Sequence, residues 1–418
     1  MNLTAIIAFI VIFGVLVTVH EFGHFIAAKK VGVLVREFAI GMGPKLLSWR
    51  RNHTTYTIRV LPVGGYVRMA GMDETPDLDA GQRVRLIFDA QGIVTTIDTR
   101  IEELGEGVPF QIDRFDLTDA LTLTGYRADE SDMVTVNVDH DATIIDKQGI
   151  AVQIAPRDTW VQSAKVYQRA LINVAGPVMN FVLALVVFCL LGFLQPSVTL
   201  NQPIIGTVQP NMPAQQAGLR PNDQVQTING QKIHSWEQLA TTISQSTSQK
   251  LTLSVLRQGK PATLTLTPKQ VQVDRVTTRL IGVTPKTYTD FGARLKYGIL
   301  ATGSTTQRIW YAITHLFSGG FNLNKLGGPV AIAKTTSTVA KTGFLNILVY
   351  MAMLSINLGM MNLIPIPALD GGKLLLNLIE AIWRRPLPEN IENAVTVAGA
   401  AFMAVSYTHL TLPTICSV

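Results

Sequence analysis

Four stretches of twenty or more residues in this 418-residue chain carry no Asp, Glu, Lys or Arg: 1–20, 170–219, 342–369 and 393–418. An α-helix needs about 20 apolar residues to cross the hydrocarbon core of a bilayer. Leu3 to Val19, Ala170 to Leu194 and Phe344 to Leu369 are dense enough in Ile, Val, Leu and Phe to do so. Ala394 to Val405 is apolar for only a dozen residues, a marginal fourth span. The first stretch lacks a basic leader and runs straight into His20-Glu21-Phe22-Gly23-His24 rather than a small-residue cleavage site. It therefore predicts a retained span and not a signal peptide.

Only 15% of the residues are charged and 47% are hydrophobic, against about 25% charged in a typical soluble chain. That composition excludes disorder and argues against a purely soluble fold. The net charge of +6 suits basic loops against an anionic membrane face, and no nucleic-acid partner is expected. Two cysteines, Cys189 and Cys416, allow no disulfide framework. Lys and Arg near the span ends set the orientation. Lys29, Lys30, Arg36 and Lys45 follow the first span, and Lys165 and Arg169 precede the second. The segment between them is expected in the cytoplasm and the N-terminus outside. The second span then exits, and the third returns towards Lys373, Arg384 and Arg385, although Lys334 and Lys341 lie on the outer side.

Between spans, residues 54–69 carry β-formers on both sides of Pro62 and Gly64-Gly65, a hairpin signal. Alternating runs such as Val134–Val138 predict a β-rich module in 72–168. In 200–287 the order is a strand over Ile204 to Val208, a turn, Pro213-Ala214-x-x-Ala217-Gly218-Leu219, the run Asp223-x-Val225-x-x-Ile228-Asn229-Gly230, a helix with Ser235 as its N-cap candidate, and two strands joined by a Gly259 turn. This layout resembles a PDZ domain, a fold that can add a peptide tail to a sheet edge. The fold class expected is thus a multi-span α-helical membrane protein. It carries an inserted β-hairpin, a cytoplasmic β-rich insertion and an extracytoplasmic PDZ (α+β) domain. The expected divisions are a first helix at 1–28, the hairpin region at 29–71, the insertion at 72–168 and a second helix at 169–196. The PDZ domain at 200–287 follows, then an amphipathic segment at 288–342, a third helix at 343–372, a cytoplasmic loop at 373–392 and a partial fourth helix at 393–418.

His20-Glu21-x-x-His24 is the sharpest motif. At helical pitch the two imidazoles lie one turn apart on one face and can grip one Zn2+. Glu21 beside them can take a proton from water. A catalytic zinc site needs a third protein ligand and one open position. Lys30 stands where a third histidine of the metzincin pattern would fall. Glu37 is too close in sequence and is expected to be a surface charge. Asp370, in Asn362-Leu-Ile-Pro365-Ile-Pro367-Ala-Leu-Asp370-Gly371-Gly372, is the better candidate. It lies at the inner end of the third span, at the depth of His20 and His24. Pro365 and Pro367 should stop that helix and Gly371-Gly372 should let the backbone turn.

These residues resemble the site-2 protease family of intramembrane zinc metalloproteases, in its bacterial single-PDZ form. His20-Glu21-x-x-His24 and Leu369-Asp370-Gly371 match its two metal-binding motifs. Gly176-Pro177-x-x-Asn180, Leu326-Gly327-Gly328-Pro329 and Leu61-Pro62-x-Gly64-Gly65-Tyr66 match further motifs. The last of these forms a membrane-embedded β-hairpin in the family. The resemblance implies cleavage of membrane-spanning substrates such as anti-sigma factors or signal-peptide remnants, in the plasma membrane. Residues 406–418, polar and carrying Pro413, do not resemble a membrane helix and are expected to be a truncated or foreign terminus.

A helical substrate must unwind to be cut. Gly64 and Gly65 offer a strand edge to hold it extended, and Asn357 and Asn362, five apart and so not on one face, could hydrogen-bond it or equally serve as polar contacts between helices. Asn180 fits packing or polar contact between helices equally well. Two rival readings are a catalytically dead scaffold that displays the PDZ domain and a tethered zincin with its site in a soluble domain. The intact Glu21 argues against the first, and the twenty uncharged residues before the motif argue against the second.

Overall fold

The computed structural model describes residues 3–71, 78–100, 107–127, 132–246, 249–273, 276–318, 329–385, 387–388, 394–395, 397–399 and 401. The helices, in chain order, are α1 (Leu3–Lys30), α2 (Val166–Leu194), α3 (Pro213–Gln216), α4 (Trp236–Ser244), α5 (Phe291–Ser318), α6 (Pro329–Ala340), α7 (Phe344–Leu363) and α8 (Asp370–Trp383). Among the described residues, α1, α2 and α7 are long and apolar enough to cross a membrane. Much of their apolar surface faces outward, for example Ile7 and Val11 of α1 and Val182, Val186 and Leu190 of α2. A continuous apolar exterior of this kind is unfavourable in water and suited to lipid. The chain divides into two compact units, one of 1–183 with 312–418 and one of 184–311.

In the first unit, β1 (Val35–Arg51) and β2 (Thr54–Met69) are long strands joined at Asn52-His53, both in left-handed conformation. The hairpin turn is therefore not at Pro62–Gly65, as the sequence suggested. Each strand instead folds over midway. β1 bends at Gly41 and Gly43 and β2 at Gly64, all three with positive φ. A Cβ on Gly41 would lie 2.5 Å from the Leu61 carbonyl oxygen, so the bend admits only glycine there. The result is four sheet segments in the order 65–69, 35–40, 54–58, 45–51. Ala39 lies opposite both Tyr66 and Thr57, and Trp49 opposite Tyr56. Glu37, expected at the surface, is buried inside this sheet. It accepts hydrogen bonds from Thr57 Oγ1 at 2.7 Å and from Arg59 at 3.0 Å.

The insertion comprises β3 (Arg83–Phe88), β4 (Val94–Asp98), β5 (Val108–Asp116), β6 (Thr122–Arg127), β7 (Met133–Ile145) and β8 (Ala151–Gln153). The sheet order is β4-β3-β5-β6-β7-β8, and a parallel β4–β7 pairing closes five strands into a ring. Leu86, Val94, Ile97, Ile112 and Leu123 fill its interior. The β-rich module expected here is thus a small barrel.

The third span ends at Leu363, before Pro365, and Asp370 opens a new helix instead of lying in the last turn of the old one. The reversal between them uses Ala368, at φ 76°, and not Gly371-Gly372. Those two glycines permit close approach instead: a Cβ on Gly371 would lie 2.5 Å from the Leu363 carbonyl oxygen and closer still to that of Ile364. The loop expected at 373–392 is helical as far as Trp383. Of the fourth span only 394–395, 397–399 and 401 are described, all helical, and Leu326–Gly328 and 406–418 lie outside the described residues.

The second unit contains β9 (Val198–Thr199), β10 (Ile205–Val208), β11 (Gln224–Ile228), β12 (Gln231–Lys232), β13 (Leu251–Arg257), β14 (Lys260–Leu266), β15 (Lys269–Val273), β16 (Val276–Leu280), β17 (Val283–Pro285) and β18 (Thr287–Tyr288). A sheet of order β12-β11-β13-β14 packs with α4 around Ile205, Leu239, Ile243, Leu253 and Val255. Ser235 caps α4, its side chain accepting from the Gln238 N–H. The guanidinium of Arg294, in α5, donates to the carbonyls of Gly192, Gln195 and Pro196 and closes the C-terminal end of α2.

Asp223 and Arg257 form a paired contact at 2.7–2.8 Å, with the Asp223 side chain buried. Burial pushes the Asp223 carboxyl up, but the guanidinium and the Arg220 N–H outweigh it and hold it below the ordinary carboxylate range. A carboxyl depressed on folding stabilises above its unfolded value, near pH 4, and loses that contribution as the pH falls through the folded one. Asp223→Asn should therefore speed amide exchange in β11 and β13 at neutral pH. The difference from wild type should vanish well below pH ~4, as measured by hydrogen–deuterium exchange of the full chain.

Candidate functional site

One turn of α1 separates His20 from His24, and both rings are buried. Their Nε2 atoms are 3.3 Å apart. Asp370, the first residue of α8, brings Oδ2 to 3.1 Å from His20 Nε2 and 3.3 Å from His24 Nε2. Donor atoms bound to one zinc at about 2.0–2.1 Å in tetrahedral geometry stand about 3.3 Å apart. The three atoms thus already have the spacing of three corners of such a site. Asp370 Oδ2 is buried and accepts no hydrogen bond. A buried carboxylate oxygen without a donor is strongly unfavourable, and a cation among the three atoms satisfies it. Among the described residues this is the cluster of His, Cys, Asp and Glu able to hold a metal ion.

A histidine that offers Nε2 to a metal keeps its proton on Nδ1, so the partner at Nδ1 must accept. His24 Nδ1 donates to the Ile172 carbonyl at 2.7 Å, and a carbonyl can only accept. His20 Nδ1 faces the side-chain amide of Asn180, 3.1 Å from Nδ2 as oriented. The two ends of a primary amide are nearly isosteric, and rotation by 180° presents Oδ1 as the acceptor. Between Ile172 and Asn180 lies Gly176. A Cβ there would collide with His24 Nε2 and come within 2.9 Å of His20 Cε1. Gly23 answers it from α1, where a Cβ would strike the Ala175 carbonyl. Residues 172, 176 and 180 thus form one stripe, four apart, that holds both imidazoles.

The motif residues Gly176 and Asn180 were visible in the sequence, but not their contact with the histidines. Their spacing of four on an apolar helix was the available signal, whereas a main-chain carbonyl such as that of Ile172 leaves none. α7 closes the opposite side. Ser355 Oγ donates to the Asn180 carbonyl at 2.8 Å, and Gly359 sits against Pro177. Asn362 brings Nδ2 to 3.5 Å from His20 Nε2. Asn357 is exposed, some 140° further round the helix at 100° per residue, so of the two asparagines the structure brings only Asn362 to the ligand cluster. Glu21 is half-buried and within electrostatic reach of His24, His20, Asp370 and Lys373. Gly65 lies beside it: a Cβ on Gly65 would be 3.3 Å from Glu21 Cγ. Gly64 is the adjoining bend. Glu37 pairs with Arg59 in the sheet and is not part of the cluster.

Two substitutions separate packing from hydrogen bonding. Gly176→Ala should lower zinc affinity by tenfold or more. Asn180→Asp, which keeps an acceptor at His20, should retain it, while Asn180→Leu should lose about 10–100-fold. Competition with a chromophoric chelator in detergent measures all three.

The model of peptidase family M50 matches residues 8–406. "Probable protease eep" of Enterococcus faecalis is 46% identical over 405 residues, 96% of each chain. A provisionally named zinc metalloprotease of Streptococcus pyogenes serotype M3 is 44% identical over 411 residues, again 96% of each chain. A similarly named protein of Lactococcus lactis subsp. lactis is 40% identical over 421 residues, 97% of each chain. Among solved structures, an HtrA-type protease AlgW with decapeptide gives a TM-score of 0.15 at 15% identity over 55% of this chain and 67% of that one, too slight a likeness to bear on the fold. Matched along nearly its whole length, with three candidate membrane spans, this chain belongs to peptidase family M50, the site-2 protease family, and is a zinc-dependent membrane metalloprotease.

Proposed function

We propose that this enzyme cuts peptide bonds inside the membrane-spanning segments of other proteins. His20, His24 and Asp370 hold the zinc and Glu21 is the general base. The convergence of the three buried acceptor atoms carries this reading. Depth supports the intramembrane location: His24 precedes the basic end of α1 at Lys29-Lys30 by five to six residues, about 8–9 Å at 1.5 Å per residue.

Zinc bound there supplies a Lewis acid that acidifies a water and polarises the scissile carbonyl. Glu21 takes the proton of the attacking water and delivers it to the leaving amine. The substrate must be extended for its carbonyl to be reached. The 65–69 segment pairs on one side with 35–40, and Gly65 adjoins Glu21. Its other edge at Gly64-Gly65 adds the unwound substrate as a further strand next to the base. Asn362 hydrogen-bonds that strand near the zinc, whereas Asn357 lies on another face of α7. The exposed Leu46, Leu47, Trp49 and Leu61 suit the outer part of the sheet to lipid.

Basic residues at span ends support an N-terminus outside the cell and an active site opening to the cytoplasm. The strand–helix arrangement of 200–287 supports a PDZ domain outside the cell that binds a peptide tail. Anti-sigma factors and signal-peptide remnants, already cut once, are the substrate class, so the enzyme performs the second step of regulated intramembrane proteolysis.

Glu21→Gln should bind one zinc per chain and cleave a membrane-helix reporter at least a hundredfold more slowly than wild type. Asp370→Asn should lose both zinc and activity. Wild-type cleavage by Glu21→Gln would overturn the base, and full zinc occupancy in Asp370→Asn the ligand set. Once-cut membrane proteins that accumulate in cells carrying Glu21→Gln identify the natural substrate.

A further inference from the structure

A part-buried guanidinium and a buried carboxylate take no part in this chemistry. Arg169, in the first turn of α2, and Glu380, late in α8, meet at 2.5 Å with side chains 15% and 5% exposed. The second Glu380 oxygen accepts the Leu387 N–H at 2.9 Å, and the Glu380 carbonyl accepts that of Arg384 at 2.8 Å. One residue thus ties together α2, the end of α8 and the chain beyond it. We infer that the Arg169–Glu380 ion pair is a positioning element that sets the reach of Asp370 to the two histidines. This inference rests on the proposed ligand set.

The argument is geometric. α2 carries the groups that orient both imidazoles: the Ile172 carbonyl, Gly176 and Asn180. α8 carries the third ligand at its first residue. Between α7 and α8 the helix is broken over Ile364–Leu369, so the angle of α8 is not inherited from a continuous helix. Glu380 lies ten residues beyond Asp370, about 15 Å along α8, and Arg169 lies seven residues before Gly176, about 10 Å along α2. The pair is too far away to touch the metal or substrate, and well placed as the far end of a lever. A tilt of about 5° about that end moves Asp370 by about 1.3 Å, whereas metal–ligand distances tolerate about 0.2 Å. The planar guanidinium gives the tie a direction that an apolar contact lacks.

The test uses the full-length protein in detergent, stripped of metal and titrated with zinc against a chelator. Wild type should bind one zinc; if it does not, the ligand proposal fails and not this one. Glu380→Gln should bind about tenfold more weakly and give an altered visible spectrum when loaded with cobalt(II). The double variant Arg169→Met/Glu380→Met replaces the pair by apolar side chains of similar volume, an exchange that is often neutral or stabilising. It should melt at or above the wild-type temperature without metal yet still bind zinc about tenfold more weakly. It keeps the inference testable should Glu380→Gln not fold. The reversed pair Arg169→Glu/Glu380→Arg should recover most of the lost affinity. Wild-type zinc affinity in the methionine pair, or no recovery in the reversed pair, overturns the inference.

Discussion

Three buried acceptor atoms that face one another across little more than 3 Å repel unless a cation lies among them. Neutral imidazoles offer lone pairs, and a carboxylate adds a full negative charge. The energy to hold such a constellation comes from elsewhere in the molecule: helix packing tight enough to exclude side chains, and donors and acceptors that fix each ring. The glycines at 23, 176, 359, 371 and 372 are where this packing is paid for, since each allows main chain or ligand to come closer than a Cβ would allow.

The rest of the first unit can be understood from that constraint. α2 serves as a template, with one stripe of residues that touches both histidines and a charge at its basal end that grips α8. The folded-over sheet brings a glycine-flanked strand edge to Glu21. Its buried Glu37 pairs with Arg59 to hold the inner segments together, and Arg59 also donates to the Tyr66 hydroxyl one residue from Gly65. Tyr66 therefore links the ion pair inside the sheet to the strand that runs past the proposed base.

How much of this is legible in the sequence differs from residue to residue. The three candidate membrane helices among the described residues follow from uncharged apolar runs, because hydrophobicity is additive along a chain and needs no partner. His20 and His24 follow from helical pitch, and Asp370 from matching depth. The sheet departs from its sequence signal because Pro62 and Gly64-Gly65 carry the composition of a turn while serving as a mid-strand bend. The true turn at Asn52-His53 has a weaker signal, two residues that tolerate positive φ. Glu37 was misplaced for a related reason: nothing local shows that Thr57 and Arg59, across a sheet, satisfy its charge. Likewise Gly371-Gly372 invites a turn, and only the packed carbonyls of Leu363 and Ile364 reveal a different need. Contacts made through main-chain atoms or across many residues are not written in any one segment.

The 350 residues that separate His20 from Asp370 have a consequence for biosynthesis. At roughly 5–20 residues per second, the ribosome needs on the order of 20–70 s to travel from the first histidine to the aspartate. A nascent or prematurely released chain already presents two imidazoles and a glutamate to the membrane, but lacks the carboxylate that closes the triangle. With the ligand set proposed above, the metal cage is complete only once Asp370 has been made, so a fragment left by interrupted synthesis before that point lacks its third ligand.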